Sequence, residues 1–91
     1  MTTQHQEVMD ILQEECAEVI QAISKVRRFG IDEIHLKNGH SNRVHLTEEV
    51  GDLLCMIQLM METGILIEKE VYDAAFQKRA KLQQWSNILT V

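Results

Sequence analysis

Ninety-one residues are enough for one domain and not for two, so residues 1–91 are predicted to form a single domain. With no Pro, four Gly and an aromatic share of only 4% inside a 45% hydrophobic composition, the chain lacks the aromatic and turn residues of a sheet-rich protein. The net charge of -5 speaks against non-specific nucleic-acid binding, which needs a cationic surface. No apolar run reaches membrane-spanning length, and the start of the chain (Thr2, Thr3, Gln4, His5, Gln6) is polar and unlike a signal peptide. The expectation is a cytoplasmic protein with no membrane partner, and with Cys16 and Cys55 as reduced thiols.

Three helical stretches are predicted. The first runs from about Gln4 to Arg28, because Val8, Ile11, Leu12, Val19, Ala22, Ile23 and Val26 recur at helical spacing, and Gly30 is its stop. Residues 30–45 carry turn chemistry in Asp32, Asn38, Gly39, His40, Ser41 and Asn42, with Ile34, Leu36 and Val44 expected to tack the segment onto the core. It is long for a helix connection and reads as a lid or a partly mobile loop. The second helix is expected to begin at Thr47 as its N-cap and to end near Gly64, carrying Val50, Leu53, Met56, Ile57, Met60 and Met61. The third begins around Glu68 and carries Val71, Tyr72, Ala75 and Leu82. Trp85, Ile88 and Leu89 follow as an apolar tail expected to pack on the body or on another subunit. The fold class is therefore all-α, a small bundle of three to four helices. Because so short a chain closes only a thin core, assembly with further copies is expected.

The acids carry the chemistry. On a wheel of 100° per residue, Val8, Val19 and Val26 fall within about 40° of one another. Glu15 lies on that stripe and Glu18 at its edge, while Glu14 points toward solvent. On the second helix Leu53, Met56 and Met60 define the stripe, with Glu49 on it and Asp52 at its border. Each helix thus presents an acid pair at i and i+3 on one face. Such pairs are common on solvated faces. Two of them intruding on apolar stripes are less so, because burying carboxylates without compensation is expensive and like charges repel. A divalent cation removes both objections. Hard oxygen donors suit Mg²⁺, with Mn²⁺ an alternative, and acids from facing helices can converge inside a bundle. Zinc is disfavoured, since the cysteines lie on other faces and His35, His40 and His45, five residues apart, read as solvated loop histidines.

The stretches LQEECAEVIQA and LTEEVGDLLCMI resemble the ExxE and ExxD motifs of the MazG-like branch of the all-α nucleoside triphosphate pyrophosphohydrolases. The resemblance covers roughly residues 8 to 82 and rests on the two motifs together, on the small residue before the last acid and on the apolar run after Asp52. It implies that Glu15, Glu18, Glu49 and Asp52 hold Mg²⁺ and form the catalytic site. It further implies hydrolysis of nucleoside or deoxynucleoside triphosphates to monophosphate and pyrophosphate, and a homodimer or homotetramer. One of these acids, Glu15 or Glu18, would steer the attacking water. A cap at Thr47 would put Glu49 in a first turn, where the helix dipole favours its ionised form.

Phosphate also calls for a cation. Lys78 lies on the apolar stripe of the third helix, near where the family places a phosphate-binding lysine. Lys81 is the neighbouring candidate, and the asparagine that often follows in the family is missing until Asn87. Lys25 and Arg28 are further candidates, against a plain role in complementing the helix C-terminus. The rival to the enzyme reading is a catalytically silent helical interaction or regulatory module that uses the acids only for solubility. A carboxylate redox or storage bundle is disfavoured because neither acid stretch has a histidine three residues after a glutamate.

Overall fold

The structure, a computed structural model, describes residues 1–89. It consists of α1 (Thr3–Phe29), α2 (Asn42–Glu62) and α3 (Glu68–Trp85), and is an all-α arrangement of three helices. The Thr2 hydroxyl accepts the His5 amide and starts α1. Gly30 ends it with φ at 101°, a backbone setting that side chains disfavour, and Arg27 and Arg28 in the last turn complement the helix dipole.

The start of α2 corrects the sequence reading. Its N-cap is Ser41, whose hydroxyl accepts the Val44 amide, and the helix begins six residues earlier than a cap at Thr47 would allow. No breaker separates Ser41 from Thr47, so nothing stops the helix from extending backward. Thr47 lies inside it and donates its hydroxyl to the Arg43 carbonyl at 2.8 Å, the usual back-bond of a mid-helix threonine. Glu49 therefore lies beyond the reach of the helix N-terminus, and the helix dipole does not favour its ionised form.

The connection is correspondingly shorter and carries its own structure. Ile34 and Ser41 form an antiparallel bridge, the Asn42 amide donates to the Glu33 carbonyl, and the Arg43 amide donates to Ile31. Asn42 is 1% exposed, and its Nδ2 donates to the Gly30 carbonyl at 2.8 Å, locking the end of α1 to the start of α2. At the opposite end His5 Nε2 meets the Thr63 carbonyl at 2.9 Å. Contacts at both ends make α1 and α2 an antiparallel hairpin, and these two helices pack along each other.

Ile34, Leu36 and Val44 do not tack the connection onto a core, for all three are exposed. Trp85 and Ile88 are 79% and 71% exposed, so they do not pack on the body of this chain. Among the described residues the buried apolar side chains are Val8, Ala22 and Met56, and α3 contributes none. The molecule is flat, 42 × 39 × 14 Å, with a radius of gyration of 16.2 Å, against about 12 Å for a compact chain of this length. No described helix is long and apolar enough to cross a membrane.

Two substitutions test the helix start. Ser41→Ala is expected to destabilise by about 1 kcal/mol through loss of the cap, whereas Thr47→Ala, which removes an exposed back-bond, stays within about 0.5 kcal/mol. Urea denaturation at one fixed protein concentration checks both. A larger cost at Thr47 than at Ser41 would reinstate the later helix start.

Candidate metal centre

The antiparallel hairpin brings Glu15 of α1 opposite Glu49 and Asp52 of α2. One carboxylate oxygen from each lies within 4.8 Å of the other two. Glu15 and Glu49 are half-buried and Asp52 is exposed, so the group opens to solvent on one side. Glu18, one turn along α1, is exposed and lies outside this trio. Glu14 faces solvent.

Three carboxylates at this separation repel one another, and the strain falls on Glu15. Its carboxyl is pushed above the ordinary carboxylate value, first by burial and then by the charges of Asp52, Glu49, Glu18 and Glu14. Its Oε2 is shielded from solvent and has no hydrogen-bond partner. An orphaned, desolvated oxygen on a carboxylate that neighbours two more acids is what a cation would satisfy. The donor set is all hard oxygen, suited to Mg²⁺ or Mn²⁺. Oxygens around one Mg²⁺ are ~3 to ~4 Å apart, close to the separation of the three carboxylate oxygens, all within 4.8 Å of one another. The residues present fit a divalent cation.

Glu49 has a neighbour that the sequence reading assigned to a solvated loop. His45 belongs to α2, one turn before Glu49, and its Nε2 stands 3.3 Å from Glu49 Oε1. Its ring meets the His35 ring edge to face, with centroids 6.3 Å apart. His35 in turn bonds Asn42 Oδ1 through Nε2. Of the three histidines read as solvated, His35 and His45 are thus half-buried and partnered. The signal was present in the sequence as a His-x-x-x-Glu spacing, hidden by the misplaced helix start.

The cationic candidates are scattered. Lys25 is half-buried near the end of α1 and lines a cavity of about 450 Å³ shared with the connection and with His45 and Glu48 of α2. Arg28 is exposed and holds its guanidinium 5.0 Å from the centre of the Phe29 ring. Lys78 and Lys81 are exposed on α3, which does not pack against the α1–α2 hairpin as those helices pack on each other, so the single chain does not bring them to the acids. Cys16 and Cys55 are free thiols.

The raised Glu15 carboxyl has a defined consequence for metal-free protein. An acid whose folded value lies above its unfolded value of 4.5 contributes stability at pH below 4.5, and that contribution is lost as pH rises through the folded value. Over this window wild type is expected to lose more thermal stability than Glu15→Gln, measured by melting in chelator. A Glu15→Gln melting curve that tracks wild type at every pH would show that Glu15 is not strained.

No curated protein and no solved structure gives a significant match to the chain. A family model does match, over residues 3–83, which spans all three helices nearly to the end of α3 and includes both acid pairs. On that match, and with the acids of both motifs on the paired helices α1 and α2, the chain belongs to the MazG nucleotide pyrophosphohydrolase domain family.

Proposed function

We propose that this protein is a hydrolase that uses Mg²⁺, or Mn²⁺, to cleave nucleoside or deoxynucleoside triphosphates to the monophosphate and pyrophosphate. The observation that carries the reading is the trio of Glu15, Glu49 and Asp52, with the orphaned Glu15 oxygen, in a chain of the MazG family. Glu15, Glu49 and Asp52 hold the cation, with Glu18 completing the set from one turn along α1. A bound cation would offset charge on the phosphates as it develops in the transition state. Glu15 or Glu18 would take a proton from the attacking water, and the exposure of Glu18 favours it for that step. Cleavage between the α and β phosphates rests on the family description. We take residues 1–91 as one domain of this kind.

Lys25 is the favoured phosphate contact, since it lines the cavity that also reaches His45 beside Glu49. Arg28, already stacked near Phe29, is the weaker candidate. Lys78 and Lys81 act only if α3 crosses to another subunit. Such an assembly is supported by the flat shape, by the three buried apolar side chains, and by the exposure of Ile20, Val50, Leu54, Tyr72, Phe76 and Trp85. A homodimer or homotetramer would cover these groups.

Two experiments test the reading. Incubation of standard and modified triphosphates with magnesium, followed by ion-exchange chromatography, is expected to yield pyrophosphate and the matching monophosphate. Asp52→Asn should lower turnover more than about 100-fold, beyond the loss typical of a residue that only supports a ligand, and leave the assembly intact. Orthophosphate and diphosphate as products would overturn the cleavage position. Absence of turnover with magnesium bound would favour a silent binding module. Sedimentation equilibrium at micromolar concentration is expected to give two or four times the chain mass, and a folded monomer would refute the assembly.

A further inference from the structure

A chain of contacts runs from Gly30 through Asn42, His35 and His45 to Glu49. Asn42 Nδ2 donates to the Gly30 carbonyl, which can only accept, so the amide orientation is fixed. Asn42 Oδ1 then faces His35, and His35 Nε2 must carry the proton that it receives. The His35 backbone is itself held, its amide donating to His40 at 2.9 Å and its carbonyl accepting from Gly39 at 2.9 Å. A ring fixed in this way presents a stationary wall to His45, which lies against it edge to face. His45 has its side chain 28% exposed and Glu49 15%, and they share the 3.3 Å approach between Nε2 and Oε1. Glu49 thus meets the connection through His45, while Glu15 and Asp52 have no such support among the contacts observed.

We propose that His45 is a positioning residue: through Nε2 it holds the Glu49 carboxylate toward Glu15 and Asp52, and the latch between His35 of the connection and Asn42 at the start of α2 holds His45. The inference rests on the reading that these three acids bind a divalent cation. The physical reason is the cost of ordering. A free glutamate loses rotamer freedom when it ligates, and repulsion from two neighbouring acids turns it away while the cation is absent. The imidazole of His45, 3.3 Å from Oε1, offsets both, as polar groups beside a ligating carboxylate generally do. The approach uses Nε2, four residues from Glu49 on the same helix face, so a side chain must be long enough to place a donor there.

That length requirement supplies the test, read as direct binding of Mn²⁺ to the full chain by electron paramagnetic resonance or calorimetry, with far-UV circular dichroism confirming helicity. His45→Ala and His45→Asn are expected to weaken Mn²⁺ binding by about 10- to 100-fold. His45→Gln, which can set its amide near the Nε2 position, should recover most of that loss, which a role in packing alone would not produce. His35→Ala, which removes the wall without touching Glu49, should give a smaller weakening in the same direction. Wild-type affinity in both His45→Ala and His45→Asn overturns the positioning role while leaving the metal site standing. Equal loss in His45→Gln and His45→Ala overturns it as well, since the Nε2 donor would then be irrelevant. Failure of wild type to bind Mn²⁺ removes the metal centre itself and this inference with it.

Discussion

Everything at the acidic centre depends on the register between α1 and α2. Each residue along a helix turns the side chain by about 100° and advances it by 1.5 Å. A slip of one residue between the two helices would therefore separate Glu15 from Glu49 and Asp52. The register is set at both ends of the hairpin: His5 meets the Thr63 carbonyl at one, and Asn42 joins the Gly30 carbonyl at the other. Between these latches the pairing forces three carboxylates within 4.8 Å of one another and leaves an oxygen of Glu15 without a partner. Helix packing does not favour that arrangement by itself, since like charges oppose it. The hairpin is pre-stressed, and a cation held by the three acids would relieve the stress.

Thinness is the second constraint. A pair of helices has one shared seam, and here the seam buries Val8, Ala22 and Met56 and little else. The third helix leaves the pair, and its apolar residues Tyr72 and Phe76 face outward. The same thinness keeps the acids near the surface: Asp52 is exposed although its partners are half-buried. A site of this kind admits a large polar substrate readily, but a single chain gives it few walls. The proposed assembly would supply both the missing apolar cover and the cations of α3.

The connection between α1 and α2 matters more than its turn-rich composition suggests. Its bridge, its backbone bonds to Asn42 and Arg43 and the near-complete burial of Asn42 make it a clasp. A buried amide with both ends satisfied is specific in a way that apolar contact is not, because a shifted residue would leave a donor or acceptor unpaired. Through His35 and His45 that specificity reaches the acid trio, so the part of the chain that fixes the register also borders the chemistry.

The sequence by itself determined that the chain is helical, that helix α1 ends at Gly30 and α3 starts at Glu68, and that the acids Glu15 and Glu49 intrude on apolar stripes. These are properties of periodicity and local backbone preference, and both are written in neighbouring residues. Membership of the MazG family was legible too, in two acid motifs whose spacing survives translation into a wheel. The start of α2 was not. Ser41 and Thr47 are both competent caps, and the choice falls to Ser41 because the connection folds back and bonds Asn42 and Arg43. With that choice went the place of His45, which a cap at Thr47 left in a loop. Tertiary structure also decided which acids meet: the i, i+3 rule groups Glu18 with Glu15 equally, but the pairing of α1 with α2 brings together Glu15, Glu49 and Asp52. The fate of the apolar residues in the connection and after α3 was likewise invisible in the sequence. Hydrophobicity says that a side chain gains by leaving water, whereas only the packed chain says whether a surface exists to receive it.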